Sequence, residues 1–243
     1  IMKKKKYADL LNKVIQNLYK SYWDDLQRSL KPLEPGQYTN PFLIAFDEDL
    51  LNKSDLKVMI FGQETKGWGD RFGMLDTPEA TVAMYDTFFC QKTFYGGYGK
   101  SSFWKAFRYF EKQLQKAYPE KSFYFSWNNI SKIGKSKGRS GVSKAARAVE
   151  RQTFSVVSTE VQAFAPDIVI FLTGPNRDGD IKHHFNDAEF APINAQVDKR
   201  ALAKVSSEYL PMKTIRMYHP SYFGGFYRIR ETALSAIVNN FAS

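Results

Sequence analysis

Cysteine is almost missing from this chain: Cys90 stands alone among 243 residues. A single thiol excludes a disulfide framework, a cysteine-rich zinc site and an iron–sulfur cluster held within the chain, and it fits a reducing cytosol. Long apolar runs are missing too, and none approaches the roughly 20 residues that a membrane-spanning helix needs. The opening Lys3-Lys4-Lys5-Lys6 lacks the apolar stretch of a secretory signal and reads as the solvated start of a first helix. The expected setting is therefore cytoplasmic, with no membrane partner. Acidic residues are in short supply: 25 Asp and Glu face 35 Lys and Arg, giving a net charge of +10 and a pI near 9.4. Such a field favours polyanions, nucleic acid first and an anionic membrane surface second. No internal repeat, low-complexity tract or linker interrupts residues 1–243, so a single monomeric domain is the economical expectation.

Aromatic side chains, by contrast, are plentiful. The 20 Phe, 14 Tyr and 4 Trp are enough to fill a core and leave rings over for an exposed stacking surface. Tyr7, Leu10, Leu11, Val14, Ile15, Leu18, Tyr19, Tyr22, Trp23, Leu26 and Leu30 recur at intervals of three and four, which predicts an amphipathic helix over about 7–30 with one buried face. Pro32, Pro35 and Gly36 stop it. Short apolar runs at 57–61, 122–127, 167–172 and 214–218 read as strands, and helices are expected at 78–92, 102–117, 143–164 and 227–241, with Ser101 as an N-cap. Strands alternating with helices predict a three-layer α/β/α fold around a central, mainly parallel four-stranded sheet.

The polar and glycine-rich segments fall after strand ends, where open α/β sheets bind ligands. The first strand ends in Gly62-Gln63-Glu64-Thr65, the second in Phe125-Ser126-Trp127-Asn128-Asn129, and the last in Tyr218-His219-Pro220-Ser221. Together these resemble the motifs of the uracil-DNA glycosylase superfamily: a Gly-Gln-acid turn, a strand whose terminal Asn reads the base, and a His-Pro-Ser loop. Ser102-Phe103-Trp104-Lys105 is similar to the Phe-Trp helix start of its mismatch-specific branch. The resemblance covers residues 57–241. It rests on the order of the motifs at successive strand ends, each being short.

Cleaving an N-glycosidic bond generates an oxocarbenium-like sugar and a base anion. A carboxylate near the sugar, Glu64, would stabilise the cation and position water, and the His219 ring would donate to the departing base. An amide offers a donor and an acceptor together, so Asn129 or Asn128 would read the pyrimidine edge, with Gln63 beside them. Phe72 or Trp68 would stack on the flipped base. The resemblance further implies that Pro220 and Ser221 grip the DNA backbone and that Tyr222 or Phe223 fills the space the base leaves. Lys132, Lys135, Lys137 and Arg139 belong to a basic Gly- and Ser-containing segment expected to be mobile and to order on phosphate; Arg228 extends that surface. His183 and His184 lie near Asp178, Asp180 and Asp187, but adjacent helical residues point apart, so a solvated helix surface is the reading there, with no metal and no organic cofactor.

The sequence departs from any one branch of that superfamily. Glu64 stands where the best-known branch has an Asp, one methylene shorter. Thr65-Lys66 replaces a Pro-Tyr whose Tyr blocks the thymine methyl group, and the cysteines of the iron–sulfur branches are absent. The expectation is a monofunctional DNA glycosylase removing uracil or a related lesion in base excision repair. The alternatives are a non-catalytic nucleic-acid-binding module of the same fold, and a nucleoside or nucleotide hydrolase.

Overall fold

The apolar runs and amphipathic segments become regular elements in the computed structural model, which describes residues 2–33, 38–69, 77–137, 141–222 and 225–239. In chain order they are α1 (Met2–Leu30), α2 (Glu48–Lys53), β1 (Leu56–Gly62), α3 (Pro78–Tyr85), α4 (Ser102–Ala117), β2 (Phe123–Asn129), α5 (Lys144–Thr153), α6 (Val157–Phe164), β3 (Ile168–Phe171), α7 (Asp178–His184), β4 (Glu189–Pro192), β5 (Leu202–Ser206), β6 (Lys213–Met217) and α8 (Phe226–Val238). A π-helical turn, Asp86–Cys90, carries α3 onward. The expected helix over 143–164 is divided into α5 and α6, with Phe154 and Val156 buried in the break. No helix among the described residues is long and apolar enough to cross a membrane.

The chain forms two compact units. One gathers Ile1–Asn52, Gln63–Thr93 and Asn129–Ala163, the other Lys53–Gly62, Phe94–Asn128 and Phe164–Ser243. The second holds a mixed six-stranded sheet in the order β2-β1-β3-β6-β5-β4, where a mainly parallel four-stranded one is expected. β1, β3 and β6 run parallel, and β5 and β4 extend the sheet antiparallel. Of the two added strands, β4 escapes the sequence pattern for a physical reason. β4 is four residues long, lies at the sheet edge with three of its residues exposed, and ends in Pro192, so it has no buried face to impose an alternation. β1 and β3 show the opposite character: Val58–Phe61 and Ile168–Phe171 are wholly buried, as strands covered on both faces must be.

Arg216 of β6 holds the antiparallel extension in place. Its buried guanidinium makes a two-pronged ion pair with Asp178 (2.8 and 3.0 Å) and donates to the carbonyls of Arg200 and Lys199 (2.8 and 3.0 Å). α4 is capped by the Ser101 hydroxyl, which accepts from the Trp104 N–H at 3.3 Å, as the sequence predicts. Its ring-rich face meets β2, with Trp104 and Trp127 4.9 Å apart edge-on. α8 packs on β6 and α4.

In the first unit α1 packs on α3 and α5. Its buried ladder is Ala8, Leu11, Ile15, Tyr19, Trp23, Leu26 and Leu30. Tyr7, Leu10, Val14 and Tyr22, expected in the same face, are exposed. The apolar stripe is wider than the surface available to cover it, so one ridge is buried and the next is left in solvent.

Candidate functional site

The residues of interest leave the sheet at its carboxyl edge. Phe61 pairs with Phe171, and Phe171 with Arg216, so β1, β3 and β6 finish level, with neighbouring backbones about 4.8 Å apart. The Leu172 N–H continues the ladder to the Phe61 carbonyl (2.9 Å) and the Gly174 N–H to the Met217 carbonyl (2.9 Å). Beyond these bonds the chain runs from Gly62 into Gln63-Glu64 and from Met217 into Tyr218-His219.

Within the first unit, the Gln63–Gly69 loop is fixed by backbone bonds to the segment after β2. The Ser131 N–H reaches the Gln63 carbonyl (2.9 Å), and the Gly67 N–H reaches the Lys135 carbonyl (3.0 Å). Thr39 and Gly134 bond each other twice, and Asn40 donates to the Gly69 carbonyl at 2.9 Å. The contact is so close at Gly134 that a Cβ there would sit 1.6 Å from the Thr65 carbonyl oxygen; any residue larger than glycine collides with backbone. Gln63, Glu64 and Thr65 are half-buried on this framework.

The framework overturns two expectations. Lys132 does not face nucleic acid: its side chain is fully buried, its ammonium pairs with Glu160 at 2.6 Å, and it lies over the Phe42 ring. Glu160 also accepts from the Tyr19 hydroxyl (2.5 Å), which in turn accepts from the Ile44 N–H. Burial lowers the Lys132 pKa while Glu160 acts against that shift. Residues 131–136 are therefore anchored, where the composition predicts mobility; Lys135 is half-buried and Lys137 exposed. Trp68, likewise, is no stacking platform. It is 4 % exposed and packs against Phe42 and Phe88 with ring centres 5.1 and 5.7 Å away. Phe72, Arg139 and Phe223 lie outside the described residues.

Asn128 and Asn129 are both buried at the end of β2. The Asn128 amide nitrogen lies 3.6 Å from the Met59 sulfur in β1. Strand alternation puts Asn129 on the opposite face, the one that Trp127 shares.

In the second unit the sequence pattern supplies His219 and Ser221 but misses their neighbours. The Ser221 N–H reaches His219 Nδ1 at 3.2 Å, and the Ser221 hydroxyl lies 2.7 Å from the same atom. Because a backbone N–H only donates, Nδ1 is the acceptor and the neutral ring carries its proton on Nε2. Burial, and then the nearby Arg177 guanidinium, lower the His219 pKa to about 4. Arg177 is itself buried, paired with Asp180 at 3.0 Å, in the turn after β3. That turn approaches His219 through Gly174 (φ +75°), whose missing Cβ would lie 3.4 Å from the His219 nitrogen. The Thr173-Gly174-Pro175-Asn176 turn is visible in the sequence, but nothing in it signals that Arg177 faces a histidine.

Pro220 is buried and Ser221 exposed. Tyr222 closes a turn by donating its N–H to the His219 carbonyl (2.8 Å) and stacks on Tyr218 with ring centres 4.5 Å apart, yet remains 57 % exposed. Arg228 is exposed near the start of α8. His183 and His184 end α7 with their rings 4.9 Å apart, His184 buried; among the described residues no group of three or more His, Cys, Asp and Glu side chains converges. No family model matches the chain, and no curated protein sequence matches it.

Proposed function

We propose that the protein is a DNA glycosylase that hydrolyses the N-glycosidic bond of uracil or a related damaged base. The observation that carries this reading is His219: a neutral imidazole whose Nδ1 is occupied by Ser221, leaving Nε2–H as a fixed donor. A donor of this kind stabilises charge growing on a base carbonyl oxygen without needing to transfer its proton. The C1′–N bond breaks with its electron pair leaving on the base. Glu64 holds a water, takes one of its protons as the oxygen bonds to C1′, and that proton ends on the base anion. Asn129 is the base reader, since Asn128 is directed at Met59. The +10 charge supplies attraction for the strand.

The test is excision on labelled oligonucleotides carrying uracil, hypoxanthine or a mismatch, single- and double-stranded, followed by alkaline cleavage. Glu64→Gln and His219→Ala are each expected to slow excision by about 100-fold or more. Tight binding with no excision by the parent protein would replace this reading with a non-catalytic nucleic-acid-binding module.

A further inference from the structure

α4 presents a second electropositive feature. Lys105, Lys112 and Lys116 are spaced at seven and four residues, so they fall within about 40° of one another on the helix and line it for about 16 Å. All three are exposed, and no ion pair joins them to another described residue. Tyr109 lies on the same side of α4. Its ring receives the Arg230 guanidinium of α8 at 4.6 Å, and Arg230 also covers the Tyr227 ring at 5.1 Å. Tyr227 is still 58 % exposed, so one ring face remains for a ligand. The run from α8 to α4 thus interleaves cations with aromatic rings along one face of the second unit.

Phosphates repeat about every 3.4 Å along a stacked strand, and 16 Å spans about five of them. Rings beside a row of ammonium groups suit unpaired bases, whose faces are open, better than a duplex, whose base faces are hidden. We infer that the α4–α8 face binds a single-stranded stretch of nucleic acid, with Lys105, Lys112 and Lys116 on the phosphates and Tyr227 stacking a base. The ligand class rests on the function proposed above; the strand form and the path are new. An acidic protein partner would leave the tyrosine faces unused, and an anionic membrane would want an apolar rim in place of the polar flanks of α4.

The experiment is fluorescence anisotropy of the full chain with an undamaged 20-nucleotide single strand, the matching duplex, and phosphatidylserine vesicles, over a salt series. The parent is expected to prefer the single strand. Replacing the three lysines by Gln is expected to weaken single-strand binding about 100-fold at 0.1 M salt and to reduce the log–log salt slope by about 2. Tyr227→Ala should remove the single-strand preference and leave the salt slope unchanged. Each variant is checked for an unchanged melting temperature, and these surface positions are not part of the core. An unchanged slope in the triple variant, equal lysine-dependent binding of the duplex, or lysine-dependent binding of vesicles alone would overturn the inference. Lysine-dependent single-strand binding with no excision of any lesion would uphold it while removing the glycosylase reading.

Discussion

His219 shows how much a single residue's setting decides. A histidine in water is protonated below about pH 6.5 and could then act as an acid. Here burial and the Arg177 charge push its pKa to about 4, so near neutrality it can only donate through Nε2–H. NMR titration of the ring should show the Nε2–H tautomer persisting to about pH 5, with protonation centred near 4. Arg177→Gln should raise that value, because it removes a cation and also releases Asp180 from its ion pair, and both changes favour the charged ring. A titration centred near 6.5 in the parent would refute the fixed-donor role. At this scale the sequence is legible only in part. That Gln63, Glu64 and His219 follow strand ends is legible, because the apolar runs stop at Gly62 and Tyr218. Trp68 and Lys132 are misread because composition does not tell which ring or ammonium turns inward; Lys132 is buried by virtue of Glu160, a partner no local pattern reveals.

Among the elements, β1 and β3 are the legible part, since every buried position in Val58–Phe61 and Ile168–Phe171 carries an apolar side chain, whereas β6 buries Thr214 and Arg216 beside Ile215 and Met217. β4 is not, because a four-residue edge strand with three exposed residues needs little hydrophobicity; β5 buries Leu202, Ala203 and Val205 but is only five residues long, and backbone pairing holds both. Loops are the least legible, and the Gln63–Gly69 loop explains why. Its geometry comes from distant residues: Ser131 and Lys135 bond it through backbone atoms that carry no side-chain signature, and the Asn40 side chain holds the Gly69 carbonyl. Gly134 is the critical point of that arrangement. Gly134→Ala places a methyl group 1.6 Å from the Thr65 carbonyl oxygen, and neither backbone can yield without breaking the Thr39 or Ser131 bonds. The expected cost is about 3 kcal/mol in urea denaturation, at the upper end for an overpacked site. Because the displaced loop carries Glu64, excision should fall with it. A variant of parental stability and activity would show that this contact does not position the loop.

For the whole molecule, the buried ionisable groups make stability a function of pH in a way net charge does not foretell. Glu150 is 3 % exposed and accepts from the backbone N–H groups of Lys132 (2.5 Å) and Ile133 (3.3 Å). Burial pushes its pKa up from 4.5 to about 7, against the pull of those two N–H groups and the Lys132 ammonium. A raised native pKa means the folded state holds the proton more tightly than the unfolded chain between pH 4.5 and 7. The stabilisation from this group is therefore fully present below pH 4.5 and is lost as pH rises through 7, about 3 kcal/mol in all. His219 acts in the opposite sense: its lowered pKa contributes stability above pH 6.5 that is lost as pH falls through about 4. The two slopes oppose each other over most of the same range, so the parent protein should show a shallow profile there. Glu150→Gln keeps the size of the side chain and mimics the protonated acid, removing one slope and exposing the other. The difference in unfolding free energy between variant and parent should then grow in the variant's favour by about 1.4 kcal/mol per pH unit from 4.5 to 7, with the remaining charges cancelling in the comparison. Parallel profiles would mean that Glu150 is ionised in the fold at the same pH as in the unfolded chain. The Lys132 and Ile133 N–H groups would then be the interactions that keep it charged.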